Sequence, residues 1–488
     1  MLLPRTHKDS AKTRFGSPLA QHSFTRRGVH RPNQHTAVLE DYSIVRLGCF
    51  REPLRSLRQI ASREQFKPNR LRDPAAERDR DPESRRRRHR LRETPARQGQ
   101  RQRQNMPKKK PKEPLVLEDP SRGGTCIGVV FEDHRQPVYA VAFWPGDGHL
   151  VAVCGSNRAS IYAITDTEDR LDLRQVYVDN DRDESFFCCA WSRRADSPLL
   201  CIAGTRGIAK IVDCADGRLD CALVGHGNAI NDCCFHSVDD SLLLTASKDE
   251  SIRLWNTRTC VCVAVFAGDR GHRDEVLSVD CHGSGSCCLS SGMDNTIKVW
   301  QLGSEAVSSA CERSHTNPQP ANHRPFETVF EQFPAFSTAR VHANYVDCAR
   351  WVGSLIVSKS TAERLCLWSP DPARAERLPT VQVGVEDEDE KDDVLVVHEL
   401  DLPGANIWFL RFGICAERLH VAAGNTSGDL VVYDVDTCEL KATLTHPKMR
   451  GAVRQVAFSP DARFVAAVGD DAGLFVYELD GGGLLKKS

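Results

Sequence analysis

The sequence lacks the features that mark a membrane or secreted protein. No apolar run in its 488 residues has the length of a membrane span, and no signal-peptide core follows Met1. The 20 cysteines include no CxxC pair, which disfavours a zinc ribbon or a thioredoxin-like redox site. Several lie in apolar runs, such as Cys188 and Cys189, where a free thiol packs as a small hydrophobic group. We therefore expect a reducing compartment and no membrane contact.

The sequence also lacks the short motifs of common catalytic sites. It contains no P-loop, no HExxH pair and no G-x-S-x-G elbow. It offers no nucleophile with a matching base and no set of side chains with the spacing of a metal site. We therefore expect a protein that is not an enzyme, with no catalytic residue, no metal and no cofactor.

Charge is distributed unevenly along the chain. Residues 1–113 carry 30 Lys and Arg against 12 Asp and Glu, whereas the remaining residues carry 35 against 54. The basic part is rich in Arg, Gln and Pro and has little hydrophobic periodicity, so it cannot bury enough apolar surface to offset its ordering entropy. We expect residues 1–120 to form a disordered basic N-terminal segment.

Two interpretations of this segment remain open. The runs RRRRHR (Arg85–Arg90) and PKKKPK (Pro107–Lys112) are typical of a nuclear-import or nucleic-acid-contacting arm. Alternatively, residues 1–105 are a solvated tail or translated upstream sequence, with Met106 as the true start. The lysine cluster remains under either interpretation.

Two cassettes about 45 residues apart indicate the fold. One runs from Gly225 to Asn256 (GHGNAINDCCFH to SIRLWN) and the other from Gly271 to Trp300 (GHRDEVLSVDCH to TIKVW). Each passes from a Gly-His pair through an apolar strand to a turn with Asp and a strand ending in Trp. This order and spacing is the signature of the WD repeat, which builds β-propellers.

Seven apolar strands of the same pattern predict seven blades over residues 121–482, with 483–488 as a tail. The strands end at Phe143, Trp191, Phe235, Cys281, Trp351, Phe412 and Phe458. Insertions at 303–341 and 369–405 account for the length beyond seven ordinary repeats, and the second contains an acidic run, Glu386–Asp393. The strand Cys126–Phe131 is placed to complete the last blade and so close the ring. The fold class is thus all-β, a seven-bladed WD40 propeller after a disordered segment.

His226, Ser247, Asp249 and Trp255 have the spacing of the hydrogen-bonded tetrad that stiffens a WD blade. A structural role is expected rather than a catalytic triad, because a buried indole N–H needs a partner that such a chain of polar groups provides. In the next cassette Gly292 stands where we expect the serine. In blade five, Ala362 stands at the aspartate position.

One position on the inner strands lacks the uniformly apolar residues expected of a buried position. Four residues before each strand end, the seven blades carry Tyr139, Phe187, Asn231, Leu277, Asp347, Trp408 and Arg454. Equivalent positions of a propeller form a ring near one channel mouth, so the three aromatics, joined by Phe409, lie on one side of it. Several ring faces together are the geometry that holds a methylated lysine by cation–π attraction. The alternative is that these rings only pack the channel.

The chain closely resembles the embryonic ectoderm development / extra sex combs / fertilization-independent endosperm family from about Val130 to Leu479. The strings that carry the likeness include YVDNDRDESFFCCAW, VGHGNAIN, GHRDEVLSVD, RPFETVFEQFPAFSTARVHANYVDCARW and NIWFLRF. The resemblance implies a non-catalytic, nuclear subunit of Polycomb repressive complex 2 without sequence-specific DNA binding. It also implies that the propeller binds trimethylated lysine of histone H3, carries a helix of the SET-domain methyltransferase subunit beside the other subunits, and stimulates that subunit allosterically to support transcriptional repression.

The resemblance assigns roles to the ring residues. Tyr139, Phe187 and Phe409 match the family's methyl-lysine cage, with Trp408 packing against the lysine stem. Asn231 and Arg454 fall where the family contacts the peptide, and we expect Asp347 to do the same because its carboxylate can bond a basic tail. The family commonly has Phe at the first cage position and Tyr at the other two. A different class of function, a generic WD40 adaptor such as a ubiquitin-ligase substrate receptor without methyl-lysine binding, remains the alternative.

Overall fold

A computed structural model describes residues 42–46, 123–146, 148–167, 170–194, 198–316, 325–370 and 394–480. Its strands form seven sheets, and each neighbouring pair of sheets shares a hydrophobic cluster around a ring, as a seven-bladed propeller requires. The expected fold class is confirmed. None of the described helices is long and apolar enough to cross a membrane, and no group of side chains there has the composition of a metal site.

The first four blades follow the chain in order. β1 (Tyr42–Arg46) and β2 (Gly124–Phe131) precede blade one, which consists of β3 (Ala140–Phe143), β4 (Leu150–Gly155), β5 (Arg158–Ile164) and β6 (Leu171–Asp179). Blade two is β7 (Phe186–Trp191), β8 (Leu199–Gly204), β9 (Ile208–Asp213) and β10 (Arg218–Val224). Blade three is β11 (Ile230–Phe235), β12 (Leu242–Ser247), β13 (Ile252–Asn256) and β14 (Val261–Phe266). Blade four begins with β15 (Val276–Cys281), β16 (Cys287–Gly292) and β17 (Ile297–Gln301).

The insertion after β17 completes two blades. The helix α1 (Glu305–Thr316) is followed by β18 (Val329–Glu331), which adds in parallel to β14, and by β19 (Phe336–Thr338), the outer strand of blade four. Val307 and Ala310 of α1 pack into the hydrophobic cluster shared by blades three and four. The insertion is therefore part of the sheet system and not only a connection.

The remaining blades close the ring. Blade five is β20 (Val346–Val352), β21 (Leu355–Ser360), β22 (Arg364–Pro370) and β23 (Val394–Asp401). Blade six is β24 (Gly413–Cys415), β25 (His420–Gly424), β26 (Leu430–Asp434) and β27 (Leu440–Leu444). Blade seven is β28 (Val453–Phe458), β29 (Phe464–Gly469) and β30 (Gly473–Leu479), completed by β2 in antiparallel pairing. The prediction that Cys126–Phe131 completes the last blade is confirmed.

The second strand of most blades ends in glycine for a steric reason. A Cβ added at Gly204 would overlap the carbonyl oxygen of Ser185, and one at Gly469 would overlap that of Ala452. The backbone of the inner strand approaches too closely at these points for most side chains. Ser247 holds the same place in blade three, where it pairs with Ile230.

Blade six departs from the alignment derived from the sequence. Its inner strand is only Gly413–Cys415, and Cys415 lies opposite His420. In blade seven Phe458 lies opposite Val465. His420 and Val465 are equivalent, because each lies four residues before the glycine that ends the second strand of its blade. The alignment on Phe412 was therefore wrong by three residues. The preceding segment IWFLRF reads as a strand, but its bridge to another strand runs in parallel from Arg411 to Gln455 of blade seven.

The N-terminal segment adds one strand to the propeller. Residues 42–46 pair antiparallel with the outer strand of blade one, with Tyr42 opposite Asp179 and Arg46 opposite Gln175. This strand departs from the expectation that residues 1–120 are disordered throughout. The basic runs at 85–90 and 107–112 and the acidic run at 386–393 lie outside the described residues, as does the tail 483–488.

Candidate functional site

Three aromatic rings from three blades meet at one end of the inner strands. The ring centroids of Tyr139 and Phe187 are 5.4 Å apart, those of Tyr139 and Phe409 5.6 Å, and those of Phe187 and Phe409 5.8 Å. The interplanar angles are 89°, 85° and 73°, so the rings stand nearly at right angles to one another, as the walls of a box corner do. Below, these three rings are called the ring corner.

The fold supplies each ring from a different place. Phe187 lies on β7, the inner strand of blade two, and Tyr139 lies just before β3, where its N–H donates to Cys154 O at 2.9 Å. Phe409 belongs to the segment before β24 and has a φ of +66°, a backbone conformation that is uncommon for a bulky residue. Unusual backbone angles of this kind persist where the surroundings hold them, often at binding sites.

Trp408 stands beside the corner and faces solvent. Its ring centroid is 5.7 Å from that of Phe409 at 83°, and 44% of the residue is exposed. Phe409 is only 6% exposed, whereas Tyr139 and Phe187 are partly buried. Phe409 therefore forms the buried base of the ring corner, Tyr139 and Phe187 form its partly exposed sides, and the indole of Trp408 projects beside them.

Arg454, expected to contact the peptide, already has partners within the propeller. Its guanidinium makes two hydrogen bonds to the carboxylate of Asp470, at 2.6 and 2.9 Å, and a longer one of 3.4 Å to Trp408 O. Its Cζ also lies 5.8 Å from the ring centroid of Tyr139. Arg454 therefore helps to hold Trp408 and Tyr139 in place, and its charge is already balanced.

Asp347 does not face a ligand, and its assignment as a peptide-binding residue was wrong. The carboxylate is 1% exposed, lies 3.0 and 3.1 Å from Lys359 Nζ and accepts the N–H of Leu410 at 3.1 Å. Burial raises the pKa of Asp347, although the ammonium of Lys359 opposes the shift. A buried carboxylate needs such partners, and here they fix the chain next to Phe409.

Asn231 is also turned away from solvent. The residue is 3% exposed, and its Nδ2 donates to Val276 O of blade four at 3.0 Å. Its side-chain amide therefore links two blades, which makes the predicted peptide contact wrong for the side chain as it stands.

The blade tetrad exists, but with a different hydroxyl from the one predicted. Thr245 Oγ1 lies 2.7 Å from His226 Nε2 and accepts the indole N–H of Trp255 at 2.9 Å, while His226 Nδ1 lies 2.9 Å from Asp249 Oδ2. Ser247 instead donates to Ala229 O at 2.8 Å and was wrongly assigned. Both residues point to the same face of β12, so spacing alone does not separate them.

The same arrangement recurs in the next two blades. Ser290 joins His272 to Trp300 in blade four, and Ser358 joins His342 to Trp368 in blade five. We expected Gly292 to stand in place of the tetrad serine, and this was wrong, because Ser290 supplies the hydroxyl. The signal that identifies the hydroxyl is a Ser or Thr ten residues before each of the three tryptophans.

The ring corner has the chemistry to bind an alkylated ammonium group. A cation over the face of an aromatic ring gains roughly 0.5–2 kcal/mol, depending on how far it is desolvated. The carboxylates that contact the residues around the corner, Asp470 and Asp347, are already paired with Arg454 and Lys359. Neither carboxylate is therefore free to accept an N–H from a ligand.

Comparison with known proteins gives one family. A family model described as "WD domain, G-beta repeat" matches residues 124–162, 217–256, 260–301 and 438–478. Polycomb protein esc of Drosophila virilis is 36% identical over 355 residues, which cover 70% of this chain and 81% of that protein. Polycomb group protein FIE1 of Oryza sativa is 36% identical over 352 residues, covering 70% and 89%.

Solved structures share the fold. The one described as ctPRC2 in complex with H3K27me3 and H3K27M contains a chain that matches with a TM-score of 0.57 at 19% identity. The match covers 74% of this chain and 98% of that one.

Proposed function

Because the chain belongs to the Polycomb group family of esc and FIE1, we propose that it is a nuclear, non-catalytic subunit of a Polycomb repressive complex 2. We further propose that the ring corner binds a trimethylated lysine of histone H3, with Trp408 packing against the lysine stem. The observation that carries this proposal is the convergence of Tyr139, Phe187 and Phe409 to centroid separations of 5.4–5.8 Å. A solved relative in fold was obtained with H3K27me3, which is consistent with such a ligand.

The pairing of charges supports the choice of ligand. A ligand whose charge is spread over three methyl groups needs ring faces and no hydrogen-bond acceptor. An unmodified ammonium, by contrast, is strongly hydrated and carries three donors that need partners. The corner described above offers faces and no unpaired carboxylate from Asp347 or Asp470, so it should discriminate against unmodified lysine.

The family also suggests a partner and a regulatory role. We propose that another surface of the propeller holds a helix of a SET-domain methyltransferase subunit, and that occupation of the ring corner stimulates this enzyme and thereby supports transcriptional repression. A propeller suits such a scaffold because its rigid ring presents several separate surfaces. Affinity purification of the full chain tests the assembly, and a SET-domain partner is the expected result. Purification with a cullin-type assembly instead would favour the adaptor alternative.

Titration with histone peptides tests the reader role. Peptides of the H3 tail that differ only in the methylation of one lysine, beginning with an H3K27me3 peptide and its unmodified form, are added to the purified chain and followed by calorimetry. We expect the trimethylated peptide to bind at least about 10-fold more tightly than the unmodified peptide, since three ring contacts of at least about 0.5 kcal/mol each exceed the roughly 1.4 kcal/mol of a tenfold change. Equal affinities across a panel of H3 lysines would refute the reader role.

A further inference from the structure

Arg411 lies at a position on the inner ring of the propeller that the sequence alignment had assigned to Trp408. With Cys415 as the end of the inner strand of blade six, Arg411 stands four residues before that end, where blade one has Tyr139 and blade two has Phe187. Trp408 and Phe409 therefore precede the position equivalent to Tyr139 and Phe187, and Arg411 holds that position. It is 2% exposed and among the largest fully buried side chains.

The guanidinium of Arg411 reaches across the channel to two other blades. Its Nη1 donates to Phe187 O of blade two at 3.1 Å, and its Nη2 donates to Asn231 O of blade three. Its Cζ lies 4.3 Å from the ring centroid of Phe409, which is a close cation–π stack. Arg411 therefore contacts the ring of Phe409 directly and the backbone carbonyl of Phe187, which carries a second ring of the corner.

Hydrogen bonding and charge balance alone do not account for this placement. Nε of Arg411 is buried and has no hydrogen-bond partner among the described residues, and burying a donor without a partner is unfavourable. Asp232 lies 3.8 Å from Nη1 of Arg411 but already has a closer partner in Arg350, at 3.0 Å. Arg411 thus lacks a full set of polar partners while its planar group lies against an aromatic face.

We propose that Arg411 is a positioning residue of the methyl-lysine site, an inference that rests on the proposed function of the ring corner. Its guanidinium stacks on Phe409 and also donates to the carbonyl of Phe187. These two contacts set the position of the Phe409 ring relative to the Phe187 ring. Because Phe409 has a positive φ, the segment needs such an external support to hold its ring in one orientation.

The substitution Arg411→Lys tests this role with little change in charge. Lysine keeps a cation near Asp232, but it cannot donate to both carbonyls and also lie flat on the ring. Arg350→Lys is the matched control, because Arg350 also pairs with Asp232, and its described contacts to Ser278, Val279, Ala349 and Asp232 do not include the rings. The two purified full-length variants and the wild type are titrated with trimethylated and unmodified H3 peptides.

We expect Arg411→Lys to lower the preference for the trimethylated peptide by roughly 10-fold, with little change for the unmodified one. Arg350→Lys should keep the wild-type preference. Unchanged selectivity in Arg411→Lys, or an equal loss in both variants, would overturn the proposal.

A crystal structure of unliganded Arg411→Lys separates this proposal from the proposed function. The positioning role requires the separation of Phe187 and Phe409 to depart from 5.8 Å, whether or not the wild type binds the peptide. An unchanged corner would contradict it. A wild type that does not discriminate between peptides, together with a displaced corner in the variant, would reject the reader role and keep the positioning role.

Discussion

At the scale of single residues, the ring corner depends on side chains that lie next to one another only after folding. Tyr139, Phe187 and Phe409 are separated by up to 270 residues in sequence, yet their rings touch edge to face. The sequence predicted that Tyr139 and Phe187 lie together because equivalent strand positions of a propeller form a ring, whereas Phe409 joins them from the segment before β24 and not from the equivalent position. It did not predict that Asn231 and Asp347 are buried, since partners such as Val276 and Lys359 become visible only in the fold.

Removing one ring should weaken recognition without unfolding the blade. Phe187→Ala is expected to reduce the affinity for a trimethylated H3 peptide by about 10-fold, because one cation–π contact of roughly 0.5–2 kcal/mol is lost. Trp408→Ala should act in the same direction through the lysine stem. Phe330→Ala, an exposed aromatic on blade three, is the control and should bind as the wild type does. If Phe187→Ala binds equally well, the ring does not contact the ligand.

The corrected tetrad also makes a prediction at this scale. Thr245→Val removes the hydroxyl shared by His226 and Trp255 and should lower the free energy of unfolding by about 2 kcal/mol, because two buried groups lose their partner. Ser247→Ala should cost less, about 1 kcal/mol, since Ala229 O keeps the N–H of Lys248 at 2.9 Å. Urea titration of both variants gives the order, and a larger loss for Ser247→Ala would contradict the assignment.

At the scale of elements, the tetrads predict that blade five responds to acid differently from blades three and four. His226 and His272 each contact an aspartate, whereas blade five has Ala362 at that position. Burial, helped by the charge of Lys359, lowers the pKa of His342 from 6.5 to about 4. The folded state therefore binds fewer protons than the unfolded state between these values, so stability falls as the pH falls through that window.

Ala362→Asp should restore the missing partner of His342. The new carboxylate is expected to raise the pKa of His342 and so reduce the loss of stability between about pH 6.5 and pH 4. Thermal unfolding of the wild type and the variant at pH 7.5 and pH 5 provides the comparison. An identical drop in melting temperature for both proteins would show that His342 does not control this response. Lys359→Met would not be a useful control, because it would leave Asp347 buried without its cation.

The elements also show where sequence reasoning succeeds and fails. Strands that keep the shared apolar positions, such as β11 and β15, were found correctly because each blade buries the same strand positions. The prediction of blade six failed because the apolar segment before β24 has the composition of a strand but does not pair with β25. Phe409 in this segment has a positive φ. Local pattern does not reveal this change, since the contacts of Arg411 and Asp347 that hold the segment come from four other blades.

At the scale of the whole molecule, charge favours a basic partner. Residues 114–488 carry 35 Lys and Arg against 54 Asp and Glu, so this part of the chain is acidic and should attract a basic ligand such as the proposed histone tail. Long-range attraction of this kind accelerates association and is screened by salt. The proposed binding of a trimethylammonium group in the ring corner would depend on short contacts and should be screened much less.

Salt should therefore change the association rate more than the dissociation rate. Raising the salt concentration from about 50 to about 300 mM is expected to slow association with a trimethylated H3 peptide by up to about 10-fold. Dissociation should change less, because it reports the ring contacts. Stopped-flow fluorescence anisotropy of a dye-labelled peptide measures both rates, and an effect of salt on dissociation alone would argue against electrostatic attraction.

The most direct test of the account is a crystal structure of the chain with an H3 peptide carrying one trimethylated lysine. The account predicts that the quaternary nitrogen lies within about 6 Å of the ring centroids of Tyr139, Phe187 and Phe409, with the lysine stem along Trp408. A peptide bound elsewhere on the propeller, or a trimethylammonium group left in solvent beside an unoccupied corner, would contradict it.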